Sequence, residues 1–181
     1  MKIAVFNCNS DQSKTVVDWA AEKLEQMLIK SGHEVEVLLL RDKNIKDCIG
    51  CFGCWVKTPG VCVHNDDMKD VLKRMLKTQV QIIVTDSRFG MVSPLVTSVV
   101  NRFLPLGCAY MHIDKQGKTA HWNRYDFNNR MALVVEDSGL DNNTALNDIG
   151  YFLHQNNMEN YLGTYVIGKN EEEIVNALNS N

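Results

Sequence analysis

The chain has 181 residues, 45% of them hydrophobic and 23% charged, with only three prolines, the profile of one ordinary soluble globular domain and an argument against two. A fold of this size buries roughly 70% of the surface its unfolded chain exposes, so the core needs no disulfide or metal to complete it. Net charge is −3, with 19 basic and 22 acidic residues interspersed, and no basic stripe marks a nucleic-acid or anionic-membrane partner.

Taken in chain order, residues 3–6 form a short apolar run that predicts a buried strand. The run is too short for a signal peptide, and nothing downstream approaches the ~20 apolar residues of a membrane span, so the chain reads as cytoplasmic. Val16, Val17, Ala20, Ala21, Leu24, Met27 and Leu28 then recur at helical spacing, ending at Gly32. Residues 35–40 pass from alternation into a continuous run, as a strand covered on both faces does. A cysteine-rich loop follows at 47–62. Asn65-Asp66-Asp67 offers a cap and first-turn acids to a helix striped with Met68, Val71, Leu72, Met75 and Leu76.

Residues 80–85 predict the next buried strand. Ser93-Pro94 places a cap and an N1 proline before a helix carrying Leu95, Val99, Val100, Phe103 and Leu104, which Pro105 stops. From 106 to 129 the periodicity is lost among polar, aromatic and glycine residues, which predicts a long excursion or hairpin over the sheet edge or at an interface. A strand at 131–135, a helix through Ala145, Leu146, Ile149, Phe152 and Leu153, a strand at 161–167 and a helix through Ile174, Val175 and Leu178 complete the pattern.

Five strands alternating with five helices demand right-handed crossovers and a parallel sheet covered on both faces. The expectation is one domain over residues 1–181, a three-layer flavodoxin-like doubly wound five-stranded α/β sheet of order 2-1-3-4-5. Such sheets bind ligands beyond the carboxyl ends of their strands, where the loops at 7–15, 85–93 and 136–142 converge.

Six cysteines in a reducing compartment do not read as structural disulfides. Cys48-Ile-Gly-Cys51-Phe-Gly-Cys54, with Cys62 after seven more residues, puts four sulfurs in one glycine-containing loop. Three readings stand. The thiolates could ligate a [4Fe–4S] cubane or a zinc ion, the short steps favouring iron, or the thiols could pack or cycle redox without metal. Cys8 and Cys108 read as core or pocket-wall residues.

The stretch from Asp47 through Cys48, Cys51, Cys54, Trp55, Gly60 and Cys62 to Met68 resembles the cysteine loop of the NADPH-dependent FMN reductase-like branch of the flavodoxin superfamily, whose iron-sulfur flavoproteins share a four-cysteine version. The likeness continues through Phe89-Gly90-Met91-Val92-Ser93, Asn101-Arg102-Phe103-Leu104-Pro105 and His121-Trp122-Asn123-Arg124-Tyr125-Asp126. It implies bound FMN, hydride from NAD(P)H, a small-molecule or protein electron acceptor, a [4Fe–4S] cluster on Cys48, Cys51, Cys54 and Cys62, and assembly as a homodimer or homotetramer.

By the same resemblance the FMN phosphate belongs with Asn9, Ser10, Ser13, Lys14 and Thr15, which can offer amides and hydroxyls before the first helix. The ring belongs with Ser87, Arg88, Phe89, Gly90 and Met91 in the second loop and with Asp137, Ser138 and Gly139 in the third. Cys8 stands where the family has a glycine, and Asp11 adds a negative charge. Three functions are consistent with these residues: an NAD(P)H-dependent flavin oxidoreductase, a flavin/iron-sulfur electron carrier without nicotinamide turnover, and a cofactor-free flavodoxin-like binding subunit.

Overall fold

The computed structural model describes residues 1–88, 91–113, 117, 119–126, 129–137, 139 and 160–179. In chain order these form β1 (Lys2–Asn7), α1 (Val16–Lys30), β2 (Glu34–Leu39), α2 (Gly53–Val56), α3 (Met68–Met75), β3 (Val80–Thr85), β4 (Ser87–Arg88), β5 (Met91–Val92), α4 (Pro94–Asn101), β6 (Gly107–Ile113), β7 (Thr119–Asn123), β8 (Arg130–Val135), β9 (Tyr161–Val166) and α5 (Glu173–Asn179). The predicted helix through residues 145–153 lies outside the described residues.

Five parallel strands form one sheet of order β2-β1-β3-β8-β9, which is the expected doubly wound 2-1-3-4-5 arrangement. All six residues of the central β3 are buried, because helices cover both of its faces. On one face Phe6, Ile83 and Leu133 pack with Met68 and Val71 of α3 and Val96 and Val99 of α4. On the other, Val5, Ile82 and Val134 pack with Leu24 and Leu28 of α1 and Ile174 and Leu178 of α5. The two-residue alternation of strands feeds both cores at once.

Three elements differ from the sequence reading. β2 is an edge strand, so Glu34 and Glu36 stay exposed and full burial is reached only at Leu38 and Leu40, not along the whole run. Within Asn65-Asp66-Asp67 it is not Asp67, at the cap position, whose side chain bonds the helix, but Asp66, whose carboxylate meets the Met68 amide at the start of α3. The Asp67 carboxylate accepts the Asn44 amide at 2.8 Å instead, and Asp66 also serves Arg102. α4 ends at Asn101, and Leu104–Leu106 forms a separate 3-10 turn. The excursion at 106–129 contains the antiparallel pair β6 and β7. Among the described residues no helix is long and apolar enough to cross a membrane.

Candidate functional site

The carboxyl ends of β1, β3 and β8 sit side by side in the sheet, which brings the loops that follow them to one edge. The first loop is organised by Asp18, the third residue of α1. Its buried carboxylate accepts hydrogen bonds from Asn7 Nδ2 (2.9 Å), Asn9 Nδ2 (2.5 Å), the Thr15 amide (2.9 Å) and Arg41 (2.6 Å). Burial pulls its pKa upward, but the Thr15, Arg41, Asn9 and Asn7 donors together hold it below the usual carboxylate range. Thr15 and Asp18 also form a reciprocal capping box, with the Thr15 hydroxyl accepting the Val17 amide.

Among the phosphate candidates, Asn9 is buried and works as a brace rather than a free donor: its Nδ2 also bonds the Ser13 carbonyl, and its Oδ1 accepts the Asp11 amide. Ser10 gives both its amide (3.3 Å) and its hydroxyl (2.8 Å) to Asp86 at the end of β3. Ser13 gives its amide (2.9 Å) and hydroxyl (2.8 Å) to Asp11, and these bonds hold the exposed Asp11 carboxyl below its ordinary pKa. Lys14 pairs with Glu22 on α1. The Gln12, Lys14 and Val16 amides make no hydrogen bond among the described residues, so three donors at the start of a 15-residue helix are unclaimed.

In the second loop Ser87 and Arg88 pair with Met91 and Val92 as a short antiparallel ladder. Arg88 is exposed and reaches Asp86 at 3.3 Å and Asp11 at 3.9 Å, so it links the first loop to the second; Met91 is exposed. Asp137 in the third loop pairs with Lys169 at 2.7 Å and accepts the Gly139 amide. The Lys169 ammonium draws the Asp137 pKa down. Phe89, Gly90 and Ser138 lie outside the described residues. Cys8 is wholly buried; desolvation and then Asp86 push its thiol far up, which suits an inert wall residue.

The cysteine loop is built differently. Its neck is closed by Arg102, which makes a two-pronged ion pair with Asp66 (2.8 and 2.9 Å) and also donates to the Lys46 carbonyl at 2.6 Å. Both side chains are almost completely buried. The Arg102 guanidinium holds the Asp66 carboxyl at about 2, against a smaller opposing effect of burial. Gly50 and Phe52 both adopt left-handed backbone, curling the segment between Cys48 and Cys54 back on itself.

Within that neck Cys48, Cys51, Cys54 and Cys62 surround one small void, collared by Ile49, Phe52, Leu104 and Pro105. Burial first, and then the neighbouring Cys62, Cys48 and Cys51, push the Cys54 thiol upward. Number and kind of donor therefore suit a thiolate-bound metal, whose positive charge reverses that repulsion. The sulfurs are not drawn into ligand geometry: among the described residues no group of three or more His, Cys, Asp or Glu side chains is placed to hold a metal ion.

The aromatic residues act as pins. Trp55 Nε1 donates to the Leu104 carbonyl at 2.7 Å, and its ring meets Phe52 and His121. Trp122 stacks on His112 at 3.9 Å. Among the described residues Arg124 donates to the Pro105 and Gly107 carbonyls, both at 3.2 Å. Sequence reasoning missed Asp18, Arg41, the role of Asp86, the ion pair of Asp66 and the structural part of Arg102. Among these roles, only that of Asp18 carried a local signal, the Thr15-x-x-Asp18 spacing of a capping box.

Residues 1–169 match the NADPH-dependent FMN reductase family, and the chain belongs to that family. It is 29% identical over 145 residues to an iron-sulfur flavoprotein of Archaeoglobus fulgidus, covering 80% of this chain and 63% of that protein. It is 32% identical over 90 residues to an iron-sulfur flavoprotein of Methanocaldococcus jannaschii, covering 50% of this chain and 46% of the relative. The chain thus spans less than two thirds of the length of these relatives. Among solved structures, an FMN-dependent NADH-azoreductase from Bacillus anthracis in complex with FMN superposes with a TM-score of 0.65 at 11% identity, covering 99% of this chain and 97% of that one, a likeness of fold.

Proposed function

We propose that the chain is a flavin oxidoreductase that takes reducing equivalents from NAD(P)H at an FMN over the carboxyl ends of β1, β3 and β8 and passes them to a small-molecule or protein acceptor. The observation that carries this reading is the row of unclaimed Gln12, Lys14 and Val16 amides at the N-terminus of α1, in a chain matching the FMN reductase family over residues 1–169. Bound FMN supplies the hydride chemistry that no side chain here can provide.

The chain's own part is binding and orientation. The free amides, with Ser10, Ser13, Lys14 and Thr15, hold a phosphate, while Asn9 and Asp18 brace the loop from beneath. A phosphate in that position takes the Ser13 donors from Asp11, which now fills the role of an anion there. Asp86 aligns Ser10 and Arg88. Ser87, Arg88, Phe89, Gly90 and Met91 border the ring on one side, and Asp137, Ser138 and Gly139 on another.

In the same reading Cys48, Cys51, Cys54 and Cys62 hold a [4Fe–4S] cluster. The relatives named iron-sulfur flavoprotein support this, as do the four cysteines bordering one void and the adjacent cationic Arg102. The protein acts as one cytoplasmic domain, assembled as a homodimer or homotetramer.

Anaerobic purification tests the reading. The expected product is yellow to brown, contains flavin and iron, and loses its flavin absorbance on adding NADPH or NADH. A colourless chain that takes up no FMN on reconstitution overturns it. Colour and iron with no response to either nicotinamide favour the electron carrier instead. Light scattering on a sizing column checks the assembly.

A further inference from the structure

Helix α3 presents two faces with different chemistry. Met68, Val71 and Met75 are buried in the core. Lys69, Leu72, Lys73 and Leu76 recur at the spacing of a single stripe along the helix, and this second face borders a cleft of about 320 Å³. Pro105, Leu106 and Tyr125 line the cleft as well. Tyr125 is held close to the cysteine loop, where its hydroxyl lies 2.7 Å from the point a Cβ on Gly60 would occupy.

The charge lining this cleft is one-sided. Every lysine ion pair among the described residues belongs to Lys2, Lys14, Lys23 or Lys169, which leaves Lys69 and Lys73 without a carboxylate. Arg102 lies in the same wall, and although Asp66 engages its terminal nitrogens, its buried Nε has no hydrogen-bond partner. Among the described residues no aspartate or glutamate lines the cleft. Two leucines, a proline and a tyrosine ring beside two unpaired ammonium groups form a surface that is apolar at its base and cationic at its rim.

We propose that this cleft binds a small aromatic anion, a one- or two-ring body carrying a carboxylate, sulfonate or phosphate. The ring lies between the α3 leucines and Tyr125, and the anionic group meets Lys69 and Lys73. The volume stands at the lower end of the roughly 300–1,000 Å³ typical of small-molecule sites, which fits one such molecule and not a dinucleotide. Cys62, His64, Arg102 and Pro105 line both this cleft and the void between the cysteines, so a bound ring lies against one of the four cysteines. The site is independent of the sheet-edge loops, and binding there does not require the flavin reading.

Calorimetric titration of the full chain with naphthalene sulfonate, and with the neutral naphthalene methanol, tests the assignment. The sulfonate should bind one saturable site. K69Q/K73Q should weaken it about fivefold, as expected for two exposed charge contacts, and leave the neutral ring unchanged. Leu72→Ala should weaken both ligands. FMN uptake should be the same in K69Q/K73Q as in the unaltered chain, which separates this site from the flavin site. Failure of the sulfonate to saturate, equal binding by K69Q/K73Q, or displacement of the sulfonate by FMN overturns the proposal.

Discussion

The loop after β1 and the cysteine loop are both rich in small and polar residues, yet the balance of local and distant bonds that holds them differs. In the first, most bonds run between close neighbours: Asn9 to Asn7, Asp11 to Asn9 and Ser13 to Asp11 each span two residues, and Thr15 to Asp18 spans three. In the second, local turns around Gly53 and Thr58 are tied down by distant fastenings: Arg102 to Asp66 spans 36 residues and Trp55 to Leu104 spans 49. Local bonds cost little to exchange, so the first loop can trade a carboxylate for a ligand oxygen. A buried ion pair cannot be traded, because leaving one partner uncompensated is expensive. The first loop is therefore adaptable, and the second is preset around its sulfurs.

The largest break in this contrast should come at Asp66. Asp66→Ala leaves a buried guanidinium without its carboxylate and should cost about 3–5 kcal/mol in urea unfolding, together with loss of iron incorporation at the loop. A neutral outcome would mean that the neck is not what holds the loop. The same pair predicts a pH window. The folded Asp66 carboxyl titrates at about 2, below its unfolded value near 4, so its contribution is complete above about pH 4. It is lost as pH falls from there toward 2, a change of about 2 kcal/mol that Asp66→Asn should remove from the stability profile.

Asp18→Asn tests the first loop at its brace. Losing the charge-assisted bonds to Arg41 and Thr15 should cost about 2 kcal/mol and weaken FMN uptake, measured by flavin fluorescence quenching, while iron content stays unchanged. Gly60→Ala touches the contact between the cysteine loop and Tyr125. The left-handed backbone at Gly60 disfavours a side chain, so a loss of about 1–2 kcal/mol is expected in thermal unfolding. The smallest effect sharpens the contrast from the other side. Asp11→Asn removes the carboxylate that now takes the Ser13 donors and should tighten FMN binding about threefold, by the loss of one exposed like charge beside the phosphate. Weaker binding would make Asp11 a support of the loop and not a competitor.

The amino-acid sequence by itself determined the five sheet strands and the helices α1, α3, α4 and α5, because periods of two and 3.6 residues report which face each segment buries, and their alternation favoured the 2-1-3-4-5 sheet and the edge where its loops gather. It also determined that four sulfurs share one loop, since their spacing is local. Only the tertiary structure decided the larger part of what Asp66 does: the residues around it suggest a helix cap, and a partner 36 positions away makes it a buried ion pair as well. It likewise decided that Trp55 and Arg124 fasten backbone carbonyls, and that one stripe of α3 faces a cleft while another faces the core. Such pairings depend on which distant segments the sheet brings together, and that information is spread over the whole chain and absent from any single window of it.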